Sequence, residues 1–183
     1  MVSRGRERID EIIDPELTID RALATYLQKG YIREWINQRL QAIQVRKELT
    51  DAWQDRGVKE GREYTILTNE ITKAWSGMTT RQYKDHKGLK KQNLRDNMTT
   101  TELILNMLAE IATKDIANAT HPQGLEENKK VAKAGGSITG NARRESEMKT
   151  GKPVITSKNA IDFGRLISDI IKAATEEDEK NNE

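Results

Sequence analysis

Apolar residues recur every three or four positions along most of the chain, the spacing that places them on one face of an α-helix. Asp14-Pro15-Glu16 starts the first clear helix, with a capping residue, a proline at the first helical position and an acid in the first turn, and Gly30 ends it. The same spacing predicts further helices over residues 31–56, 64–75, 79–86, 101–117, 125–149 and 159–174. The pattern predicts an all-α fold, with one compact domain of about six to eight helices.

Two of these helices are expected at the centre of the domain. Tyr31–Arg56 has apolar residues on two opposite faces, one with Ile36 and Ile43 and the other with Trp53, so we expect neighbours on both sides. Thr101–Ala117 is the most apolar helix, and we expect it to be buried. Its apolar residues surround it almost completely: Leu103, Ile104, Leu105, Met107, Leu108 and Ile111.

Two capping boxes punctuate the middle of the chain. In a capping box, a Thr side chain caps the first turn of a helix while a Gln or Glu three residues later reaches back to the Thr amide. Thr79 with Gln82 fits this pattern after a tight break at Gly77, and Thr99 with Glu102 fits it again. The sequence therefore predicts helix starts at both places.

Three glycines interrupt the predicted helix over residues 125–149, and each costs about 1 kcal/mol relative to alanine inside a helix. Gly136 and Gly140 follow Ala132 at intervals of four, the spacing that lets two helices pack closely, and Gly135 adjoins them. We favour close packing over the alternative, in which the backbone amides approach a bound anion.

Composition and punctuation divide the chain into three parts. Residues 1–30 are predicted to form a helical arm, residues 31–175 the all-α domain, and residues 176–183 a flexible, disordered acidic tail. The 159–174 helix is amphipathic, so this helix and the small-residue helix both offer surfaces for a homodimer.

The overall charge changes the picture by excluding a global cationic field. Charged residues make up 33% of the chain, yet the net charge is only +2, so any attraction for nucleic acid must come from local patches. The chain contains no cysteine, which fits a reducing cytosol, and no apolar run approaches the ~20 residues of a membrane span. We expect a cytoplasmic protein with no membrane association.

The sequence holds few candidates for catalysis or metal binding. His86 and His121 are the only histidines, and neither H-E-x-x-H nor G-x-S-x-G occurs. We therefore expect no enzymatic activity, no metal site and no cofactor.

Basic residues concentrate in two regions. The first holds six positive charges opposed only by Asp85: Arg81, Lys84, Lys87, Lys90, Lys91 and Arg95. The second, in which Glu145 and Glu147 are the only acids, is centred on Lys129, Lys130, Lys133, Arg143 and Arg144. Such clusters meet phosphates, meet an acidic protein surface, or form only a solvated face. We expect the first region to be exposed and to form the contact surface.

The stretch from residue 64 to residue 86 has helix-turn-helix proportions, with a short turn at Gly77 between two helices. In that arrangement Thr80, Arg81, Lys84 and His86 would face a groove of DNA. Lys73 departs from the pattern, because a small residue usually stands where the two helices pack.

Several short blocks resemble the C-terminal half of the DNA-damage-inducible protein D family, which also occurs among prophage antirepressor-like proteins. The blocks are Trp35–Arg39, Val45–Thr50, Lys87–Lys91, Leu94–Met98, Thr101–Leu103 with Asn106, Asn128–Ala132 and Gly135-Gly136. The resemblance spans about Tyr31 to Thr156, and Gly-Leu-Lys-Lys is its most specific part.

The resemblance implies a role in the bacterial DNA-damage (SOS) response or in prophage control. The family's namesake is associated with restraining the RecA recombinase on single-stranded DNA. Such proteins usually carry an N-terminal BRO-type domain, and the chain is expected to lack it, so it is either the C-terminal domain alone or a stand-alone relative.

We therefore expect a non-enzymatic regulatory binding protein. Its basic surface would contact a protein partner, either a RecA-type recombinase filament or a phage repressor. The alternative is direct binding of single- or double-stranded DNA through the 64–86 hairpin.

Overall fold

The computed structural model describes residues 15–161, and this part of the chain is all helical, which confirms the predicted fold class. Its elements are α1 (Pro15–Gln28), α2 (Arg33–Asp55), α3 (Arg62–Ser76), α4 (Thr80–His86), a 3₁₀ turn (Arg95–Asn97), α5 (Thr100–Thr120) and α6 (Gly124–Thr150). No helix in this range is both long and apolar enough to cross a membrane. Most of the predicted 159–174 helix, the acidic tail over 176–183 and the start of the N-terminal arm lie outside the described residues.

The core lies where α3, α5 and α6 pack against one another, and α2 covers α5 from the other side. Trp35 at the start of α2 donates its indole N–H to the Met98 carbonyl just before α5, at 2.8 Å. Near the opposite end, the Arg56 guanidinium donates to the Asn118 side-chain oxygen, also at 2.8 Å. Because both helices advance together between these contacts, α2 and α5 run parallel.

The glycines of α6 allow it to sit unusually close to its neighbours. A Cβ atom built on Gly140 would lie 2.5 Å from the Ala74 carbonyl oxygen in α3, and one on Gly136 would lie 2.7 Å from the Ala74 Cβ. On another face of α6, a Cβ on Gly135 would lie 2.5 Å from the Thr113 backbone nitrogen in α5. The helix continues unbroken through all three glycines, which confirms the packing interpretation.

Helix α5 buries a different face from the one expected. Its Ile104 and Leu108 side chains are 41% and 39% exposed, whereas Glu102, Asn106 and Glu110 are buried. The expectation that this apolar helix is buried all round is therefore wrong. The two buried carboxylates explain the choice of face, because each pairs with a basic side chain elsewhere in the fold.

Helix α2 also leaves part of an expected apolar face exposed. Ile43, expected to face a neighbour, is 43% exposed. The buried residues of α2 form a band centred on a single stripe: Trp35, Ile36, Arg39, Ala42, Leu49, Ala52 and Trp53. Of the other expected apolar face, Ile36 is buried and Leu40 is partly buried against the core, so the expectation is wrong for Ile43.

Both predicted capping boxes are present. The Thr79 and Thr99 hydroxyls accept from the amides of Gln82 and Glu102, and the Gln82 and Glu102 side chains accept from the Thr79 and Thr99 amides. Gly77, in the left-handed region at φ 80°, ends α3 immediately before the first box. These local signals fix where α4 and α5 begin.

A candidate basic groove

The structure separates the six basic residues of the first region into two groups. Arg81, Lys84, Lys90 and Lys91 line one groove. Lys87 and Arg95 instead bind buried carboxylates of α5.

The groove runs between α3 and α4, is closed at one side by Arg46 of α2, and has a volume of about 900 Å³. We call it the basic groove. Its walls carry five cationic side chains and a single acidic one, Asp85. The remaining lining residues are polar or apolar: Tyr64, Thr65, Ile66, Thr68, Asn69, Thr80 and Leu89.

Helix α4 is held in place by contacts on its inner side. Tyr83 is fully buried and packs edge-on against Trp75, with ring centroids 5.8 Å apart. Burial, and then the nearby Glu102 carboxylate, raise the pKa of the Tyr83 hydroxyl above its ordinary value. The Asn69 side-chain oxygen accepts from the Thr80 amide at 2.9 Å and ties the start of α4 to α3. These anchors leave the Arg81 and Lys84 side of α4 to line the groove.

The four groove cations from the first basic region are available for a ligand. Within residues 15–161, Arg81, Lys84, Lys90 and Lys91 form no ion pair, whereas Lys87, Arg95 and Arg143 each have a carboxylate partner. A ligand that binds these four side chains therefore breaks no ion pair within that part of the protein.

Arg46 is a groove residue that the sequence did not indicate. Its guanidinium donates to the Thr68 hydroxyl at 2.5 Å, lies 3.3 Å from Glu110, and stands 4.9 Å from the centre of the Trp53 ring. Burial lowers the pKa of Arg46 from its ordinary value and Glu110 opposes this, but an arginine stays charged in proteins. Arg46 lies far in sequence from the basic residues of α4 and the following loop, so charge clustering could not reveal it as part of the groove.

Lys87 is not exposed, and the expectation that it contacts a partner at the surface is wrong. Its side chain is fully buried, with its ammonium nitrogen 2.7 Å from a Glu102 carboxylate oxygen. The same nitrogen donates to the carbonyls of Thr156 at 3.0 Å and Lys158 at 2.7 Å. Lys87 therefore joins α4, α5 and the chain that follows α6.

Arg95 and Asp96 anchor the far end of the basic segment. Arg95 is 2.5 Å from Glu110, and its side chain is only about one-fifth exposed. Asp96 accepts from Arg39 at 2.8 Å and from the Tyr26 hydroxyl at 3.0 Å. Lys90 and Lys91 thus project from a short loop that is fixed at both ends.

Comparison with protein-family models identifies the family. The model of the DinD C-terminal domain matches residues 31–160, which is most of the chain. The chain belongs to the DinD C-terminal domain family. A search of curated proteins finds no significant match.

Membership of the DinD family supports a role connected with DNA damage. Residues in several of the blocks that carried the resemblance stabilise the fold. Lys87 forms an ion pair with Glu102, Asp96 forms one with Arg39, and Gly135 allows α6 to pack closely against α5. Leu89, Lys90 and Lys91 of the Gly-Leu-Lys-Lys block line the basic groove.

The residues of the helix-turn-helix interpretation do not share one surface in this DinD domain. Thr80, Arg81 and Lys84 line the basic groove, but His86 lines a separate depression with Arg143 and others. The predicted set of four is therefore not brought together.

The second basic region is divided along α6. Lys129, Lys130 and Lys133 lie near the start of the helix, and Arg143 and Arg144 follow about 15 Å further along its axis. Arg143 donates to the Trp75 carbonyl at 2.9 Å and to Glu147 at 2.6 Å, so it stabilises the junction with α3. These five residues do not form one compact site.

The described residues hold no cluster of metal-ligating side chains. Across residues 15–161, no group of three or more His, Asp or Glu side chains lies close enough to hold a metal ion. What the basic groove offers is a concave surface with unpaired cations.

Proposed function

We propose that this DinD C-terminal domain is a non-enzymatic regulatory protein that holds an acidic segment of a protein partner in the basic groove. A RecA-type recombinase filament or a phage repressor is the class of partner we expect. The observation that carries the proposal is the combination of unpaired cations with apolar and aromatic groups in a single groove.

The charges supply attraction and orientation. The groove is lined by Arg46 of α2, by Arg81 and Lys84 of α4, and by Lys90 and Lys91 of the following loop. Complementary charges of this kind raise the association rate and select against partners of like charge.

The apolar part of the lining favours a protein segment over a bare phosphate backbone. Leu89 is buried at the groove, and Ile66 and Tyr64 are half-buried there. An acidic segment with apolar side chains gains by burying them against these residues, at roughly 25 cal/mol per Å² of apolar surface removed from water.

A charge-reversal experiment tests the groove. We expect Arg81→Glu/Lys90→Glu/Lys91→Glu to weaken binding of purified recombinase filament, or of a labelled Glu/Leu peptide, by at least about tenfold, because three attractive charges become repulsive. The matched control is Lys129→Glu/Lys130→Glu/Lys133→Glu, which makes the same charge change on α6. If the wild type and the groove variant bind the filament or peptide with equal affinity, the proposal is wrong.

Binding of single-stranded DNA is the second candidate. It is favoured by the ratio of five cations to one acid in the groove and by the Tyr64 ring, since single-strand sites combine a positive groove with aromatic side chains. If four or five phosphates are neutralised, the logarithm of affinity should fall with the logarithm of salt concentration at a slope of about −3. Fluorescence anisotropy with a labelled oligothymidine measures this affinity. An absence of binding even at low salt would exclude the single-stranded DNA function.

A further inference from the structure

A small polar cavity adjoins the basic groove and has no assigned role. It has a volume of about 170 Å³ and shares Thr68, Thr80 and Lys84 with the groove wall. Arg95 and Asn106 line its other parts. We call it the polar cavity.

Two buried donors at the polar cavity have no partner within the described chain. The Asn106 side-chain nitrogen makes no hydrogen bond although the residue is only 2% exposed, and the Arg95 Nε also lacks an acceptor. A buried donor left unsatisfied costs about 1–3 kcal/mol. A ligand with acceptor atoms in the polar cavity would satisfy both donors.

Two further groups at the polar cavity can donate. Lys84 forms no ion pair in residues 15–161, and the Thr80 hydroxyl makes no hydrogen bond there. The amide, the guanidinium, the ammonium and the hydroxyl all line the same small space. Such a set suits a ligand that only accepts hydrogen bonds.

The charges near the polar cavity are positive on balance. Arg95 and Arg46 share one carboxylate, that of Glu110, which leaves their combined charge only half neutralised. Lys84 adds a third positive charge. An anion is therefore favoured over a neutral acceptor.

We propose that the polar cavity is a binding site for an oxyanion, held by Asn106, Arg95, Lys84 and Thr80. Its volume corresponds to roughly five or six water molecules at about 30 Å³ each, well below the ~300 Å³ of a site for a drug-sized ligand. A phosphate ion or a carboxylate group fits this size and chemistry.

The source of the oxyanion is either a free ion or a carboxylate of the segment in the basic groove. The second source rests on the proposed function, since Lys84 and Thr80 line both spaces. The binding chemistry of the polar cavity does not depend on which source applies.

Titration of the wild-type chain with sodium phosphate, against sodium chloride of equal ionic strength, tests the site directly. In ¹H–¹⁵N spectra we expect the Asn106 side-chain amide, assigned by its loss in Asn106→Asp, to shift and saturate with phosphate. We expect phosphate also to raise the melting temperature, because a ligand that binds only the folded state stabilises it.

Asn106→Asp removes a donor and adds a negative charge, so we expect at least a tenfold loss of phosphate affinity. Asn118→Asp makes the same change at an exposed position of α5 and should retain the wild-type response. If Asn106→Asp does not fold, the Asn106 amide is assigned from through-bond spectra of the wild-type chain, and Thr80→Val replaces Asn106→Asp as the variant that should lose phosphate affinity. An Asn106 amide that does not shift, or an equal phosphate response in Asn106→Asp and Asn118→Asp, overturns the proposal.

The Glu/Leu peptide separates this inference from the proposed function. If phosphate binds and the peptide does not, the polar cavity stands and the proposed function fails. If the peptide binds but phosphate does not shift Asn106, the polar cavity inference alone fails. When both bind, displacement of phosphate by the peptide identifies a carboxylate as the oxyanion, and simultaneous binding identifies a free ion.

Discussion

The buried pair of Lys87 and Glu102 gives the sharpest test of the structure. The Lys87 ammonium donates to three acceptors, and the Glu102 carboxylate accepts from the Thr99 and Thr156 amides as well as from Lys87. Both side chains are fully buried. Each charge therefore depends on the other for compensation.

Glu102→Gln keeps the shape of the side chain and removes its charge. It leaves the Lys87 ammonium buried without a counter-charge, and breaking a buried pair in this way costs about 3–5 kcal/mol. Since whole domains are stable by about 5–15 kcal/mol, we expect this one substitution to remove a large fraction of the free energy of unfolding.

Urea unfolding followed by tryptophan fluorescence measures the effect, because Trp35, Trp53 and Trp75 are all buried. Lys87→Met should be destabilising too. The double variant Lys87→Met/Glu102→Gln should lose less than the sum of the single losses, by about 0.5–3 kcal/mol, because the two residues are in contact.

Lys90→Met is the matched control, since Lys90 lies three residues after Lys87, is exposed and forms no ion pair within residues 15–161. This substitution should change the free energy of unfolding by no more than about 0.5 kcal/mol. A loss below about 1 kcal/mol for Glu102→Gln would refute the reasoning, because it would be incompatible with a buried and uncompensated ammonium.

Two further predictions concern packing and pH. Gly140→Ala should destabilise the fold by about 1–3 kcal/mol despite alanine's better helix propensity, because the added methyl group would overlap the Ala74 carbonyl. Thermal unfolding measures this loss, and Ser137→Ala on the same helix serves as the control. Burial, and then the Asp96 carboxylate, raise the pKa of Tyr31 to about 12, above its unfolded value near 10. The stability that the protonated Tyr31 hydroxyl contributes is therefore present below pH 10 and is lost between pH 10 and 12. Melting temperatures across that range should fall less steeply for Tyr31→Phe, and parallel curves would contradict this assignment.

Local signals in the sequence predicted the helix starts well. Both capping boxes depend on residues three positions apart, so Thr79 and Thr99 announce their helices without help from the rest of the fold. The close packing at Gly136 and Gly140 was predictable for a similar reason, since small residues at intervals of four lie on one face of a helix.

Partners distant in the sequence account for the errors. Nothing near Lys87 shows that Glu102 and the carbonyls of Thr156 and Lys158 will surround it. On α5 the apolar residues point in nearly every direction, so periodicity could not decide that Ile104 would be left exposed.

The same limit applies to the basic groove. Charge clustering found the four cations that α4 and the following loop bring together. It could not find Arg46, because only the fold brings α2 beside α4.

The anchoring of the short loop over residues 88–94 has a consequence for how this surface can evolve. Side-chain contacts hold the chain on both sides, through the buried Lys87 before the loop and the partly buried Asp96 after it. Lys90 and Lys91 between them are exposed and form no ion pair with any described residue, so substitutions there change the charge presented to a ligand with little effect on stability. If the basic groove binds a partner as proposed, the residues that keep the domain folded are separate from those that select the partner, and a change of partner needs only a few surface mutations.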